Sequence, residues 1–235
     1  MTWKIKDHYC YHEYLTVQKI PHLITTKKSG NMLDANKRKE LFQKLTKEKY
    51  FNINWNDFPF AQCRQVHSSN ISEVKNIQKD SIVSNCDGLF SFQKNIIQGI
   101  FTADCLPVFV VNKNREFIAL LHVGWKGTQQ EILHKFLDSI DSKVNKADIV
   151  FVFGPHIKSC CYKVGKEFRK YFEVQERQDK YFLDLESENV NQLINFGISK
   201  KNIHASQICT KCDDRFFSYR SGDKNNRIGS FIINH

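Results

Sequence analysis

The chain has 235 residues, of which 41% are hydrophobic, and its 35 basic and 25 acidic side chains give a formal net charge of +10. This length and apolar content suffice for one substantial core, and no Pro/Gly/Ser-rich linker divides the chain, so we expect a single domain over residues 1–235. No run of about 20 apolar residues and no apolar leader is present, which excludes a helical membrane protein and leads us to expect a cytoplasmic one.

Hydrophobic periodicity predicts strands concentrated in the centre of the chain, several of them apolar enough to be buried on both faces. The elements predicted in chain order are strand 20–25, helix 36–48, strands 61–66, 71–77, 96–103, 106–111 and 117–122, helix 129–141, strand 148–153, helices 165–173 and 187–196, and strands 203–208 and 228–233. The expected fold class is therefore α/β, a layered sandwich with a mixed β-sheet.

The excess of positive charge favours an anionic partner, but charge alone does not choose between phosphate, nucleotides and nucleic acid. The most basic segment is the predicted helix 36–48, in which Leu41, Phe42 and Leu45 form an apolar stripe and the remaining residues face water. A solvated helix face explains these charges, so we expect no nucleic-acid partner. Binding to DNA without an enzymatic activity is the alternative that the charge leaves open.

Three side chains that soft divalent metals prefer stand at the ends of predicted strands: His67, Cys105 and His122. Structural zinc sites usually have four protein ligands, whereas catalytic sites have three and leave the fourth position to water or substrate. The three residues therefore predict a catalytic metal site. The alternative is that they are core residues, because cysteine is among the most buried residue types and a single histidine is often only hydrogen-bonded.

Two further chemistries fit the same residues. Cys105 as nucleophile with His122 as base would make a thiol hydrolase or deamidase, in which His67 is either a bystander or a substrate contact. A blue-copper oxidase would need a weak axial ligand, often methionine, and the chain has only Met1 and Met32. Copper is therefore less favoured than zinc.

The other cysteines give no clear assignment. Eight cysteines at irregular spacings predict reduced thiols rather than a disulfide framework. Cys209 and Cys212 have the spacing of half a zinc ribbon or of a redox pair, but the chain has no second such pair and no helix signal follows. Cys160 and Cys161 are adjacent, and we expect them to be buried. No function is assigned to any of the four.

Six ordered motifs over residues 20 to 235 resemble the bacterial laccase-domain family, also called multicopper polyphenol oxidoreductases and now associated with zinc-dependent purine nucleoside phosphorylase activity. These motifs are QVHSSN, TADCLPVF, HVGWKGT, FGPHIKSCCYKVG, YFLDL, and CT followed by FFSYR. The resemblance implies that His67, Cys105 and His122 hold zinc. It further implies phosphorolysis of adenosine, inosine, guanosine and methylthioadenosine to base and ribose-1-phosphate, with purine nucleosides and phosphate as partners, and deamination of adenosine by zinc-generated hydroxide.

The chain departs from the family pattern in two places. Where the family usually has HAGWRG, this chain has His122-Val-Gly-Trp-Lys-Gly127, so Lys126 offers a compact charge instead of a planar fork. Near the N-terminus the family commonly has an arginine and a glycine pair, where this chain has Thr25-Thr-Lys-Lys-Ser-Gly30.

The segment after His122 predicts an anion site. Thr128-Gln-Gln-Glu131 has the pattern of a capping box, which would start a helix beside a metal ligand and leave Lys126 and Gly127 to bind phosphate at its positive end. The alternative is that the glycines only permit a tight turn.

Three arginines are further candidates for clamping phosphate or stacking on a purine: Arg64, Arg220 and Arg227. Asp104 precedes Cys105 and should face the other way along an extended strand, so we expect a supporting role for it.

Overall fold

The computed structural model describes residues 1–48, 53–140 and 142–235, which form two large sheets, a small third sheet and five α-helices. The strands are β1 Trp3–Ile5, β2 Tyr9–His12, β3 His22–Thr25, β4 Phe60–Cys63, β5 Ile71–Glu73, β6 Ser81–Val83, β7 Gly88–Ser91, β8 Ile97–Thr102, β9 Leu106–Asn112, β10 Ile118–Val123, β11 Ile149–Phe153, β12 Lys163–Val164, β13 Val174–Arg177, β14 Lys180–Leu183, β15 Ile203–His204 and β16 Ile228–Ile233. The helices are α1 Glu13–Val17, α2 Ala35–Thr46, α3 Trp125–Gln129, α4 Ile132–Ile140 and α5 Leu185–Asn195. Short 3-10 helices span Lys27–Ser29, Trp55–Asp57, Lys146–Asp148, Lys166–Lys170, Lys200–Asn202 and Tyr219–Ser221.

Both large sheets are mixed, which confirms the predicted fold class. The first has the strand order β1-β2-β3-β16-β8-β4-β6, in which β4 runs parallel to both β6 and β8 and the other pairs are antiparallel. The second has the order β15-β11-β9-β10-β7-β5, with parallel pairs at both edges. The third sheet is the antiparallel set β12-β14-β13.

The elements stack in four layers. Apolar side chains of β3, β8 and β16 meet those of β9, β10 and β11 in a core between the two large sheets. Helix α2 covers the outer face of the first sheet through Leu41, Phe42 and Leu45, the predicted stripe. Helices α4 and α5 and the third sheet cover the outer face of the second. Within the described residues, no helix has both the length and the apolar composition for a membrane crossing.

Each of the nine predicted strands overlaps an observed one, but several are shorter. The strand predicted at 203–208 covers only Ile203–His204 in the structure, and the strand predicted at 71–77 covers only Ile71–Glu73. Strands β1, β2, β6, β7, β12, β13 and β14 were not predicted. All seven have only two to four residues; five of them have at most one buried residue, whereas β2 has three and β7 has four.

The helix predictions are confirmed at 36–48 and 187–196. At 129–141 the structure has the end of α3, a break and then α4, and residue 141 lies outside the described residues. The predicted helix 165–173 is wrong: the chain there forms only the 3-10 helix Lys166–Lys170. The pairing of β12 and β13 with β14 leaves only nine residues between them, too few for both a regular α-helix and its connections.

Strands β7 and β10 approach each other closely at Gly88. Gly88 is paired with Leu121, and a Cβ built at Gly88 would overlap the Leu121 side chain, which is fully buried. Asp87 precedes Gly88 and His122 follows Leu121. Because Gly88 has no side chain, the two segments approach closely and Asp87 lies beside His122.

We expect Gly88→Ala to lower the free energy of unfolding by about 1–3 kcal/mol, the usual range for overpacking a core. Gly165→Ala is the matched control, because its added methyl group would meet only the carboxylate of the exposed Glu167, which can move away. Urea unfolding of both variants measures the difference. Equal stability of Gly88→Ala and wild type would contradict the proposed tight approach.

Candidate metal centre

The structure brings His67, Cys105 and His122 together where the two large sheets meet. His122 lies in β10, Cys105 comes directly before β9, and His67 lies in the turn that follows β4. One donor atom from each residue lies within 4.8 Å of the others, and the two imidazole rings meet edge to face with centroids 4.8 Å apart. His122 is buried, whereas Cys105 is partly exposed and His67 exposed, so the donor cluster is open on one side.

The carboxylate of Asp87 organises this cluster. It is fully buried, and its oxygens accept hydrogen bonds from the backbone N–H of His67 at 3.0 Å and from the N–H and hydroxyl of Ser68 at 2.6 and 2.8 Å. The same carboxylate lies 2.8 Å from Nδ1 of His122. A proton on Nδ1 satisfies this contact and leaves the lone pair of Nε2 available to a metal.

Asp87 also fixes the turn that carries His67. His67 has a φ of +58°, in the left-handed region that histidine adopts more readily than most residues. The hydrogen bonds to the N–H groups of His67 and Ser68 hold the turn in this conformation and direct the imidazole toward Cys105.

The electrostatics of the cluster favour a thiolate. Burial alone would raise the pKa of Cys105, but the charge of His122 and hydrogen bonds from both histidines lower it to about 6. Burial likewise acts to lower the pKa of His122, and the Cys105 sulfur together with Asp87 raises it to about 9. The pKa of Asp87, which burial would raise, falls to about 2 because of His122 and Ser68. Without a metal the pair is therefore a Cys105 thiolate beside a protonated His122, and a metal that binds both would displace the proton from Nε2 of His122.

Asp104 supports the C-terminal segment, but not through the extended strand that the sequence predicted at this position. It has a φ of +86° and is buried, and its two carboxylate oxygens accept hydrogen bonds from the Thr210 hydroxyl and the Arg220 backbone N–H, each at 2.8 Å. It thus fixes the C-terminal segment against the residue next to Cys105.

The donor cluster lies on the wall of a cavity of about 680 Å³, within the size range of small-molecule sites. The lining combines cationic and aromatic side chains, which suit an anion next to a flat ring system. The arginines are Arg38, Arg64, Arg220 and Arg227, and the aromatic residues are Phe101, Trp125, Tyr162 and Tyr219. All three arginines predicted from the sequence therefore line this cavity.

Two of the arginines are held by backbone carbonyls. Arg220 donates from Nη1 to the carbonyl of Lys163 at 2.8 Å, and its guanidinium lies over the Tyr162 ring at 5.3 Å. Arg227 donates from Nη1 to the carbonyls of Lys224 and Asn226, both at 2.8 Å. Each guanidinium is thereby oriented while its other nitrogens remain able to donate.

Sequence reasoning missed Arg38 and Asp87. Arg38 belongs to α2, and its interpretation as part of a solvated face was wrong: its guanidinium lies over the rings of Phe60 and Phe101, at 5.4 and 5.3 Å, and donates to the carbonyl of Met32. Asp87 carried a usable signal, because it is an isolated acidic residue directly before the short apolar run Gly88–Ser91.

The helix start after His122 differs from the prediction. Helix α3 begins at Trp125 with Gly124 as its N-cap, so the capping box at Thr128 is wrong: the Thr128 hydroxyl lies inside the helix and donates to the carbonyl of Gly124 at 3.1 Å. Lys126 is exposed with its ammonium over the Trp125 ring, and Gly127 packs near the carbonyl of Ser68. Neither Lys126 nor Gly127 lines the cavity.

Comparison with known proteins gives a consistent set of relatives. Residues 37–234 match the family model described as multi-copper polyphenol oxidoreductase laccase. A purine nucleoside phosphorylase of Aquifex aeolicus is 35% identical over 162 residues, which cover 68% of this chain and 76% of the relative. A purine nucleoside phosphorylase of Borreliella burgdorferi is 30% identical over 236 residues, covering 92% and 93% of the two chains.

Solved structures agree with this fold. The crystal structure of hypothetical protein YfiH from Bacillus licheniformis superimposes with a TM-score of 0.82 at 26% identity, and the match covers 98% of both chains. The structure of YlmD from Geobacillus stearothermophilus has a TM-score of 0.81 over 98% of this chain and 97% of that one. Its identity is 23%, so it supports the fold alone.

We expect Asp87→Asn to weaken metal binding by His67, Cys105 and His122 about 10- to 100-fold, the usual effect of losing a carboxylate that orients a metal-binding histidine. Competition with a chromogenic chelator measures the affinity. Asp138→Asn is the control, because Asp138 is an exposed aspartate that pairs with His134 on the surface of α4. Unchanged affinity in Asp87→Asn would show that Asp87 does not orient a metal ligand.

Proposed function

We propose that this chain, which belongs to the multi-copper polyphenol oxidoreductase laccase family, is a zinc-dependent purine nucleoside phosphorylase. Its substrates would be phosphate with adenosine, inosine, guanosine or methylthioadenosine, and adenosine deamination would be a side activity. Relatives named purine nucleoside phosphorylase support this proposal. The observation that carries it is the convergence of three metal donors and four arginines on one cavity.

The donor set fits zinc. Two imidazoles and one thiolate are typical zinc ligands, and three ligands leave one coordination position for substrate or water. Zinc held by His67, Cys105 and His122 would supply Lewis-acid stabilisation of negative charge as the base leaves. The buried Asp87 carboxylate is the oriented partner that metal-binding histidines usually have.

The arginines would bind the phosphate nucleophile. In phosphorolysis a phosphate oxygen forms a bond to C1′ of the ribose, the N-glycosidic bond breaks, and its electron pair leaves with the purine, which takes up a proton. Planar guanidinium groups pair with two phosphate oxygens at once, and Arg220 and Arg227 are oriented for this by backbone carbonyls. We assign phosphate binding to these arginines rather than to Lys126 and Gly127, which lie outside the cavity lining.

The aromatic residues would bind the base. Phe101 and Trp125 line the same cavity as His122 and offer apolar surfaces to a purine. Because the arginines and these rings line one cavity, phosphate and the nucleoside would be held close together, as bond formation at C1′ requires.

One observation favours a second function, that of a thiol hydrolase or deamidase. Cys105, His122 and Asp87 stand in the order nucleophile, base and orienting carboxylate, and the lowered pKa of Cys105, which burial would raise but the two histidines bring down to about 6, suits a nucleophilic thiolate. Under this function His67 would contact substrate only.

A copper oxidase receives less support. Met32 is fully buried in the core beneath α2 and is not among the cavity residues, and Met1 is 63% exposed. Neither offers an axial thioether to the donor cluster, which a blue-copper centre usually has.

Replacement of the donors tests the metal-dependent mechanism. We expect Cys105→Ala and His122→Ala each to lose the zinc of this site and phosphorolysis of inosine, and His67→Ala to be equally damaging because all three residues coordinate the ion. Metal analysis with product analysis on adenosine and inosine, with and without phosphate, measures both. A metal-free enzyme with full activity, or a His67→Ala variant with near wild-type activity, would favour the thiol mechanism.

Replacement of the arginines tests the phosphate site. Arg220→Ala should raise the phosphate KM or lower kcat/KM about ten- to a hundred-fold, as expected for one charge-assisted contact of about 1.5–3 kcal/mol, and leave zinc unchanged. Adenosine deamination, which needs no phosphate, should fall much less. Arg215→Ala is the control, since Arg215 is an exposed arginine paired with Asp213.

Equal losses of both reactions in Arg220→Ala would contradict a phosphate contact. Lys126→Ala in the same assay tests the helix-end site that the sequence indicated. Because Lys126 lies outside the cavity lining, we expect the phosphate KM of the Lys126→Ala variant to remain close to that of the wild type.

A further inference from the structure

A second group of potential metal ligands lies outside the candidate metal centre. The sulfur atoms of Cys160, Cys161, Cys209 and Cys212 all lie within 4.8 Å of one another, and none forms a disulfide. Two segments far apart in the sequence supply them: the turn that follows β11 and the segment between β15 and β16. We call these residues the four-cysteine cluster.

The distances within the cluster suit a tetrahedral ion. Sulfur atoms bound to one zinc at about 2.3 Å are separated by roughly 3.8 Å along each edge of the tetrahedron. The Sγ of Cys212 lies 3.7 Å from that of Cys160 and 3.3 Å from that of Cys161. These separations are too long for a disulfide, which has a sulfur–sulfur distance of about 2.05 Å.

The backbone around the cluster has the turns that cysteine-rich zinc sites use. Cys209 and Cys212 are separated by two residues in a turn closed by a hydrogen bond from the N–H of Cys212 to the carbonyl of Cys209 at 3.2 Å. The N–H of Lys158 points at the Cys209 sulfur at 3.5 Å, and such contacts stabilise a thiolate.

The ligand set is also chemically complete. Four thiolates form a closed tetrahedral site with no position for substrate, which is typical of structural zinc, whereas the His67, Cys105 and His122 set has three ligands. The two clusters therefore differ in their number of protein ligands, which is the property that separates structural from catalytic zinc sites.

We propose that Cys160, Cys161, Cys209 and Cys212 bind one structural zinc ion. This site could not be predicted from cysteine spacing, because its second pair of ligands is the adjacent Cys160 and Cys161 rather than another pair with the Cys209–Cys212 spacing. The fold supplies the missing half by placing the turn after β11 beside the later segment.

The zinc ion would stabilise one wall of the cavity beside the candidate metal centre. His156 and Cys209 form a β-bridge, and the N–H of Thr210 donates to the carbonyl of His156 at 3.0 Å. The hydroxyl of Thr210 donates in turn to Asp104, which also holds the backbone of Arg220. Loss of the ion would free the ends of both segments and loosen the residues that position Arg220.

Metal counting in single and double variants tests the site. We expect the wild-type protein, purified under reducing conditions, to carry about two zinc ions per chain by native mass spectrometry, one for each donor cluster. Cys212→Ser should retain the ion at the candidate metal centre, Cys105→Ala the ion at the four-cysteine cluster, and the double variant none. Cys10→Ala is the control for loss of a buried cysteine and should match wild type.

These variants test the four-cysteine site and the catalytic site independently of each other. A single zinc ion that survives Cys105→Ala and disappears in Cys212→Ser would support the four-cysteine site while refuting the catalytic one. Unchanged zinc content in Cys212→Ser would overturn the four-cysteine site. So would a metal-free wild-type chain whose mass is lower by two hydrogens per disulfide, or a bound iron in place of zinc.

Thiol labelling gives a readout that does not depend on the folding of a variant. Cys160 and Cys212 are exposed, so the expected burial of Cys160 is wrong, and both would react with iodoacetamide if they were free. In the wild-type protein we expect both to resist labelling until a strong chelator removes the metal, and to regain protection when zinc is added back. Equal labelling before and after the chelator would overturn the proposal.

Discussion

The candidate metal centre depends on one buried carboxylate. Asp87 is fully buried, and a charge in such a place is stable only when hydrogen bonds and opposite charges surround it. It obtains them from the backbone of the turn at His67 and Ser68 and from the ring of His122. The requirement to satisfy this carboxylate therefore determines where two of the three candidate metal donors lie, and the strand pairing at Gly88 determines where the carboxylate itself lies.

The sequence predicted the layered α/β fold because long apolar strands such as β8, β9, β10 and β11 are buried on both faces, so their identity is visible without any knowledge of partners. It failed where an element depends on its neighbours. Strand β13 is largely exposed and exists because β14 pairs with it, and the 3-10 helix at Lys166–Lys170 is short because the flanking strands leave little chain between them.

The same distinction applies to the candidate site. His67, Cys105 and His122 were recognisable because each ends or follows an apolar run, whereas Arg38 was not, because only tertiary packing turns it from α2 toward Phe60 and Phe101. The helix start at Gly124 was misplaced by four residues, since the Thr128–Glu131 pattern resembles a cap that the chain does not use. The four-cysteine cluster was invisible for the same reason as Arg38: its halves are about 50 residues apart in the chain.

Left-handed backbone at His67 and Asp104 limits how far the chain can be stabilised by substitution. Glycine would relieve the strain of a positive φ, which for other residues is on the order of 1 kcal/mol, so backbone conformation alone would favour that choice at both positions. At His67 that choice removes a candidate metal donor, and at Asp104 it removes the carboxylate that holds Thr210 and Arg220. Selection for a more heat-resistant variant should therefore change positions elsewhere in the chain and leave these two as they are.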